Sequence, residues 1–169
     1  MAQQDRLQPS LLDRLTDDEP EAASESRDKR VMSLRKLREA VIRDLTWLFN
    51  TSDFTSAEDL SDLPLVAEST LNYGLPALAG NTASSVNVSV MERMLKQSIL
   101  NFEPRIIGKT LKVKIVMAAD EMNHNAMNFD IEGELWAQPV PLRLLLKTEI
   151  DLENGTVTVV EKGGGQGVG

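Results

Sequence analysis

The chain has 169 residues, 41% of them hydrophobic, which is enough for the core of one domain. Its formal charge of −8 argues against non-specific binding to nucleic acid or to anionic lipid, because those partners require a basic surface. The absence of cysteine excludes disulfides, thiolate metal sites and cysteine nucleophiles, and the single histidine, His124, excludes multi-histidine metal sites.

The first predicted element is a short leucine-rich helix. Ser10 is its N-cap, and Asp13, three residues later, gives an acidic variant of the capping box. A helix this short is unstable alone in water, so it must dock on its own domain or on another protein. Both alternatives stay open; we favour a partner, because residues 16–29 lack large apolar side chains and resemble a flexible acidic linker. The predicted partner-binding peptide is Leu11, Leu12, Asp13, Arg14 and Leu15.

Two longer amphipathic helices follow. The first is predicted over residues 31–50, with an apolar stripe formed by Leu34, Leu37, Val41, Leu45 and Leu48. A polar acidic loop over residues 51–64 and a short helical or extended segment over residues 67–76 come next. The second helix is predicted to follow Ser84 and Ser85, to run through Phe102 and to end at Pro104; its stripe is Val88, Met91, Leu95, Ile99 and Phe102.

The C-terminal half predicts four strands, at residues 111–117, 127–135, 142–152 and 156–160, because apolar and polar residues alternate there. Asn154-Gly155 predicts a hairpin turn between the last two strands. If the first two strands pair, Lys112 and Lys114 face acidic residues of the second strand and help to set the register.

These elements predict an α+β fold, with two main helices packed on one face of a small, mostly antiparallel four-stranded sheet. The predicted boundaries are 1–29 for the leucine motif and linker, 30–161 for a single α+β domain, and 162–169 for a disordered glycine-rich tail.

The most informative charged residues are Glu103 and Arg105, which flank Pro104 at the corner between helix and sheet. In extended chain they project to the same side, so they can pair with each other or together offer an acceptor and a planar donor fork to a partner. As a glycosidase acid, Glu103 would need a second carboxylate about 5–9.5 Å away. A general acid also needs a raised pKa, whereas an adjacent arginine lowers that of a carboxyl. We therefore expect assembly or structure here, and no catalytic residue.

No cofactor or metal site is predicted. His124 lies in a polar run without a second histidine and is interpreted as a loop residue, and no phosphate-binding glycine loop is present in the sequence. No apolar run reaches the roughly 18 residues of a membrane helix. The first residues lack an apolar signal core, so a cytoplasmic location without membrane insertion is expected.

Four segments, in this order and at these distances, carry a resemblance that covers about residues 10–160. They are Ser10-Leu11-Leu12-Asp13-Arg14-Leu15, residues 38–51 (REAVIRDLTWLFNT), residues 69–76 (STLNYGLP) and residues 99–105 (ILNFEPR). Together they resemble the TssE family of type VI secretion baseplate subunits. That family includes a small wedge protein of contractile phage baseplates and is often labelled lysozyme-like.

The resemblance implies a structural subunit of the cytoplasmic baseplate, docked at the inner membrane complex, with TssF, TssG and TssK as wedge partners. It also implies a link to the TssB–TssC sheath, through an open sheet edge near residues 156–160 or 111–117 that accepts an extended arm. Glu103, Pro104 and Arg105 match the family's most recognisable motif and are the predicted assembly motif. The alternatives are a peptidoglycan-cleaving lysozyme-like hydrolase, as the label implies, and a generic adaptor that uses the leucine peptide.

Overall fold

A computed structural model describes residues 10–16, 33–77, 87–116, 126–137 and 140–162. It contains four α-helices, which are α1 (Leu11–Leu15), α2 (Leu34–Phe49), α3 (Pro64–Ala67) and α4 (Val88–Phe102). Four strands follow, β1 (Lys112–Val116), β2 (Ala126–Leu135), β3 (Leu142–Asp151) and β4 (Val157–Glu161). The α+β prediction is therefore confirmed. The described residues exclude nearly all of the predicted linker. They also exclude His124 and all but the first residue of the predicted tail.

The four strands form one antiparallel sheet in the order β1-β2-β3-β4. Lys112 lies opposite Glu132 and Lys114 opposite Asp130, as the alternation of charges predicts. The closest ion pair of Asp130 is nevertheless with Lys162, whose Nζ lies 2.8 Å from Oδ2. The charge pattern thus gives the register, whereas the salt bridge is made by a residue that follows the last strand.

The core lies between one face of the sheet and helices α2 and α4. Alternate residues of β2 point into it, and Phe129 meets Phe49 of α2 edge to face, with ring centroids 5.6 Å apart. The predicted stripe of α2 is buried except for Leu34, which is exposed because it is the first residue of the helix. Ser33 is the N-cap, and its hydroxyl accepts the amide of Lys36. Thr148 is the one fully buried polar residue on the inner face among the described strands.

The segment that follows α3 braces the end of α2. Leu75 makes two backbone hydrogen bonds with the residues just after α2. Its amide donates to Thr51 O (2.8 Å), and its carbonyl accepts the Asp53 amide (2.9 Å). Gly74 has a φ of 138°, and a Cβ there would lie 2.4 Å from Thr51 O, so only glycine fits. Residues 67–76, which the sequence left as short helix or extended chain, therefore hold a one-turn 3-10 helix, Thr70–Asn72, followed by this bridge.

Within the described ranges, no helix has both the length and the apolar character that crossing a membrane requires.

Candidate functional site

Glu103 ends α4 and starts the corner that joins it to the sheet. Its amide still donates to Ile99 O, but its backbone has left the helical region (φ −123°, ψ 77°), as a residue before proline must. After Pro104, the carbonyl of Arg105 accepts the amide of Trp136, and the amide of Ile107 donates to Glu134 O, both at 2.8 Å. The corner is therefore tied to the end of β2 on both sides of Ile106.

The side chains of Glu103 and Arg105 pair with each other, which was one of the two alternatives from the sequence. The Glu103 carboxylate is only 3% exposed, and Arg105 donates three bonds to it. The backbone amide and Nε reach Oε1 at 3.1 and 2.7 Å, and Nη2 reaches Oε2. This satisfies the buried carboxylate from within its own tripeptide.

The same guanidinium bonds a second carboxylate, on α2. Nη2 of Arg105 also donates to Asp44 Oδ2, while Oδ1 of Asp44 accepts Nε of Arg43 at 2.9 Å. Arg43 in turn reaches Asp13 of α1, with Nη1 2.8 Å from Oδ1. Five charges of alternating sign therefore run from Glu103 through Arg105, Asp44 and Arg43 to Asp13, and we call this set the ion-pair chain.

The charges in this chain shift each other's proton affinities. Burial alone would lower the pKa of Arg105, but its bonds to Glu103 and Asp44 raise it above the usual value of an arginine. Burial would raise the pKa of Asp13, yet the Ser10 hydroxyl and the Arg43 guanidinium together hold it below its usual value. Both shifts favour the charged forms, that is the guanidinium of Arg105 and the carboxylate of Asp13.

The leucine helix α1 is held by its polar side. Asp13 completes the predicted capping box with Ser10 and carries the salt bridge to Arg43, so the helix docks on its own domain. Leu11 and Leu15 are 71% and 74% exposed, and Leu12 is 43% exposed. The docking in cis is therefore electrostatic, and it leaves the apolar side of the helix uncovered within the described residues.

A scan against protein-family models matches residues 35–140 to the family described as baseplate wedge protein gp25. The match covers more than half of the chain. The chain belongs to the gp25 baseplate wedge family.

Two further comparisons stand beside this match. Among solved structures, the chain is similar to a candidate tail lysozyme from Geobacter sulfurreducens, with 17% identity and a TM-score of 0.44 over 69% of this chain and 94% of that one. No curated protein matches the chain.

Two exposed tryptophans adjoin the ion-pair chain of this wedge protein. Trp47, 50% exposed, lies one turn after Arg43 on α2, and the Arg43 guanidinium is 5.1 Å from its ring centroid. Trp136, 56% exposed, donates its backbone amide to Arg105 O. Exposed tryptophan beside arginine is the composition typical of binding hot spots.

In the part of the chain that the structure describes, the carboxylates of Glu103 and Asp44 at the corner are both already paired. Glu103 and Asp44 bind the same nitrogen of Arg105, so the space between the two carboxylates is filled by a guanidinium instead of a substrate. A cleft with a volume of about 520 Å³ is lined by residues 55–61 and Ala67, and none of these belongs to the ion-pair chain. Within the described residues, no group of three acidic or histidine side chains could hold a metal ion.

Sequence reasoning missed Arg43 and Asp44 as members of the site. Both belong to the second of the four quoted segments, but the period of α2 identifies only which residues face the core. The available signal was an adjacent cation and anion on the half-buried flank of an amphipathic helix, a pattern that most often marks a solvated face.

Proposed function

We propose that this wedge-family chain is a TssE-type subunit of a type VI secretion baseplate, which works by contact and not by catalysis. It would join the baseplate wedge to the contractile sheath and help to start sheath assembly. Its proposed location is the cytoplasmic baseplate at the inner membrane complex. The wedge partners would be TssF, TssG and TssK, and the sheath partners TssB and TssC.

One observation carries the proposal: the four segments that resemble TssE meet at Asp44. The leucine motif reaches it through Asp13 and Arg43, and the corner motif reaches it through Arg105. From the third segment, the Tyr73 hydroxyl donates to the Asp44 carbonyl at 3.3 Å, and the Tyr73 ring packs edge to face on Phe102. Segments scattered over nearly 100 residues are expected to meet in this way if they build one assembly surface.

The geometry also supports different tasks for the predicted assembly residues. Glu103 is buried and satisfied, so it would act by holding Arg105 and the corner in place. The groups that a wedge partner could touch are the exposed neighbours, namely the leucines of α1 and the two tryptophans. The motif would therefore support the contact surface from below instead of forming it.

The alternative of a peptidoglycan hydrolase is disfavoured by the state of Glu103. A glycosidase acid must reach the glycosidic oxygen, but this carboxylate is covered and takes three bonds from Arg105. A generic adaptor would use only the leucine peptide, so it would not require the other three segments to meet at Asp44.

The test is Arg105→Lys in the native host, with sheath assembly followed by a fluorescent sheath subunit. Lysine keeps the charge but cannot supply the fork that serves Glu103 and Asp44 together, so we expect few or no sheaths. Arg93→Lys is the matched control, because Arg93 is exposed on α4 outside the ion-pair chain. Normal sheath assembly in Arg105→Lys would contradict the proposal, and loss of its circular dichroism signal would assign the motif to folding alone.

A further inference from the structure

The stretch between helices α2 and α4 exposes large apolar side chains to solvent. Leu65 of α3 is 84% exposed, and Leu71, in the one-turn 3-10 helix that follows, is 75% exposed. Leu63, just before α3, is exposed as well. A single exposed leucine is common on a protein surface, whereas several in one short stretch indicate a surface that another molecule covers.

Asn72 fixes the backbone that carries these leucines. It is buried, its Oδ1 accepts the amides of Phe54 and Thr55 at 2.9 and 3.1 Å, and its Nδ2 donates to Ala67 O at 2.9 Å. Asn72 follows Leu71 directly, and Ala67 is the last residue of α3. A partner would therefore bind the leucines at little entropic cost, because no loop has to be ordered first.

The backbone of this stretch is already bonded within itself. The amides of residues 66–69 and of Asn72 all donate to carbonyls three or four residues earlier, as in a helix. A partner must therefore engage the stretch by side-chain packing and by charge, instead of by strand pairing.

The charge of the stretch is of one sign. Residues 51–77 carry five acids and no base. Asp53 is buried and caps Ser56, whereas the other four are exposed. These four are Glu58, Asp59, Asp62 and Glu68, and in the described part of the chain none of them forms a salt bridge. The complementary surface on a partner is therefore basic.

The cleft of about 520 Å³ adjoins the same leucines. Its lining includes Ala67 at the end of α3 together with Glu58 and Asp59. A lysine or arginine of a partner could lay its aliphatic stem along such a cleft and bring its charge to these carboxylates.

We propose that residues 54–72 form a docking surface for a basic amphipathic helix of a protein partner. A helix carries an apolar stripe flanked by charges and offers no free backbone groups, so it matches the packing and the charge of this surface. Its stripe would cover Leu63, Leu65 and Leu71, and its lysines and arginines would reach the exposed carboxylates. A symmetric contact with a second copy would bring like charges together, as would an anionic lipid surface. This surface goes beyond the proposed function, because it lies outside the ion-pair chain and specifies the chemistry of its own partner.

The chemistry is tested with a model peptide whose leucines repeat at helix spacing and whose other positions are lysine. Titrated into the isotopically labelled full chain, it should shift the amide signals of residues 54–72. The signals of Glu149 and Glu153, exposed acids on and after β3, should stay unchanged. Shifts centred on those two acids, or equal binding by the same peptide with glutamate for lysine, would overturn the proposal.

The apolar part of the contact is tested by Leu65→Ser combined with Leu71→Ser. Both side chains are exposed, so the fold should persist while binding of the leucine–lysine peptide weakens about tenfold or more. Val160→Ser is the matched control, since Val160 is a half-exposed apolar residue on β4. Equal affinity in the double variant would show that charge alone attracts the peptide, and would overturn the docking surface.

The surface is tested in the native host by a benzophenone amino acid in place of Leu71. We expect crosslinks to a helical segment of another protein, rich in lysine and arginine, and a severalfold loss of them with Asp62→Lys and Glu68→Lys. Glu149→Lys with Glu153→Lys is the matched control for charge reversal. The proposal is overturned by no crosslink, by a crosslink to a second copy of the chain, or by one to a segment without basic residues.

These outcomes are separate from those that test the proposed function. The peptide titration uses no secretion protein, so its failure would strike the docking surface alone. A basic helix captured from a protein outside the baseplate would support the docking surface and contradict the proposed partners.

Discussion

Arg105 is the one cation of the ion-pair chain that bonds the buried Glu103 carboxylate, and it bonds Asp44 as well. Replacing it by methionine would leave Glu103, which is 3% exposed, without its cation. We expect the free energy of unfolding to fall by about 3 kcal/mol, the cost of stranding a buried charge. Urea unfolding of the purified chain, followed by circular dichroism, measures this loss.

The companion variant Glu103→Gln removes the charge together with its need for a cation. It should cost less, about 1–2 kcal/mol, since an amide still accepts one bond from Arg105. The double variant should lose clearly less stability than the sum of the two single losses, because no stranded charge remains when both residues are replaced. Strictly additive losses would show that the two side chains stabilise the fold independently.

At this scale the sequence could predict part of the site. Glu103 and Arg105 are two residues apart, so extended chain alone brings them to the same side. Asp44 is 61 residues from Arg105, and Asn50 is 107 residues from Val157. Such partners depend on how α2 lies against the corner and against β4, which no local pattern encodes.

Among the elements, α1 combines electrostatic docking with an uncovered apolar side. The pKa of Asp13 is lowered in the folded chain, so its contribution to docking is complete above the ordinary carboxyl value of about 3.9. As pH falls through the lowered pKa, Asp13 takes up a proton and that contribution is lost. We therefore expect α1 to detach below about pH 4, as followed by the amide chemical shifts of residues 11–15.

The control for this transition is Arg43→Gln, which removes the docking cation and leaves the Ser10–Asp13 cap in place. In that variant the shifts of α1 should already be those of the detached helix at neutral pH. An α1 that stays docked in Arg43→Gln, or that detaches only when the whole domain unfolds, would contradict electrostatic docking.

The strands were the elements that the sequence predicted best. Their alternation follows directly from one covered and one solvated face, and Met127, Phe129, Ile131 and Leu135 are all buried as expected. Thr148 breaks the pattern: it is polar and fully buried between Leu146 and Ile150 on β3. A β-branched side chain fits that place by shape, and periodicity alone could not show that a hydroxyl is tolerated there.

In the whole molecule, the most basic stretch of sequence coincides with the corner. Residues 86–117 carry six bases and two acids, and one of those acids is Glu103. Its partner Arg105 is neutralised within the ion-pair chain, whereas Arg93, Lys96, Lys112 and Lys114 are exposed. The net charge of −8 therefore hides exposed bases on α4 and on β1, in a chain whose other blocks are mostly acidic.

Peptidoglycan cleavage, which the lysozyme-like label of the family implies, would also depend on the whole molecule. A retaining or inverting glycosidase needs two carboxylates facing a substrate, and here the carboxylates of Glu103 and Asp44 face a guanidinium. We expect the full chain to release no soluble fragments from purified peptidoglycan, at a concentration at which an active lysozyme degrades it. Glu103→Gln provides the matched control, since it alters the acid without opening the site. Fragment release by the wild type that Glu103→Gln abolishes would show that the corner opens to substrate and would reverse the assignment of Glu103 as a structural residue.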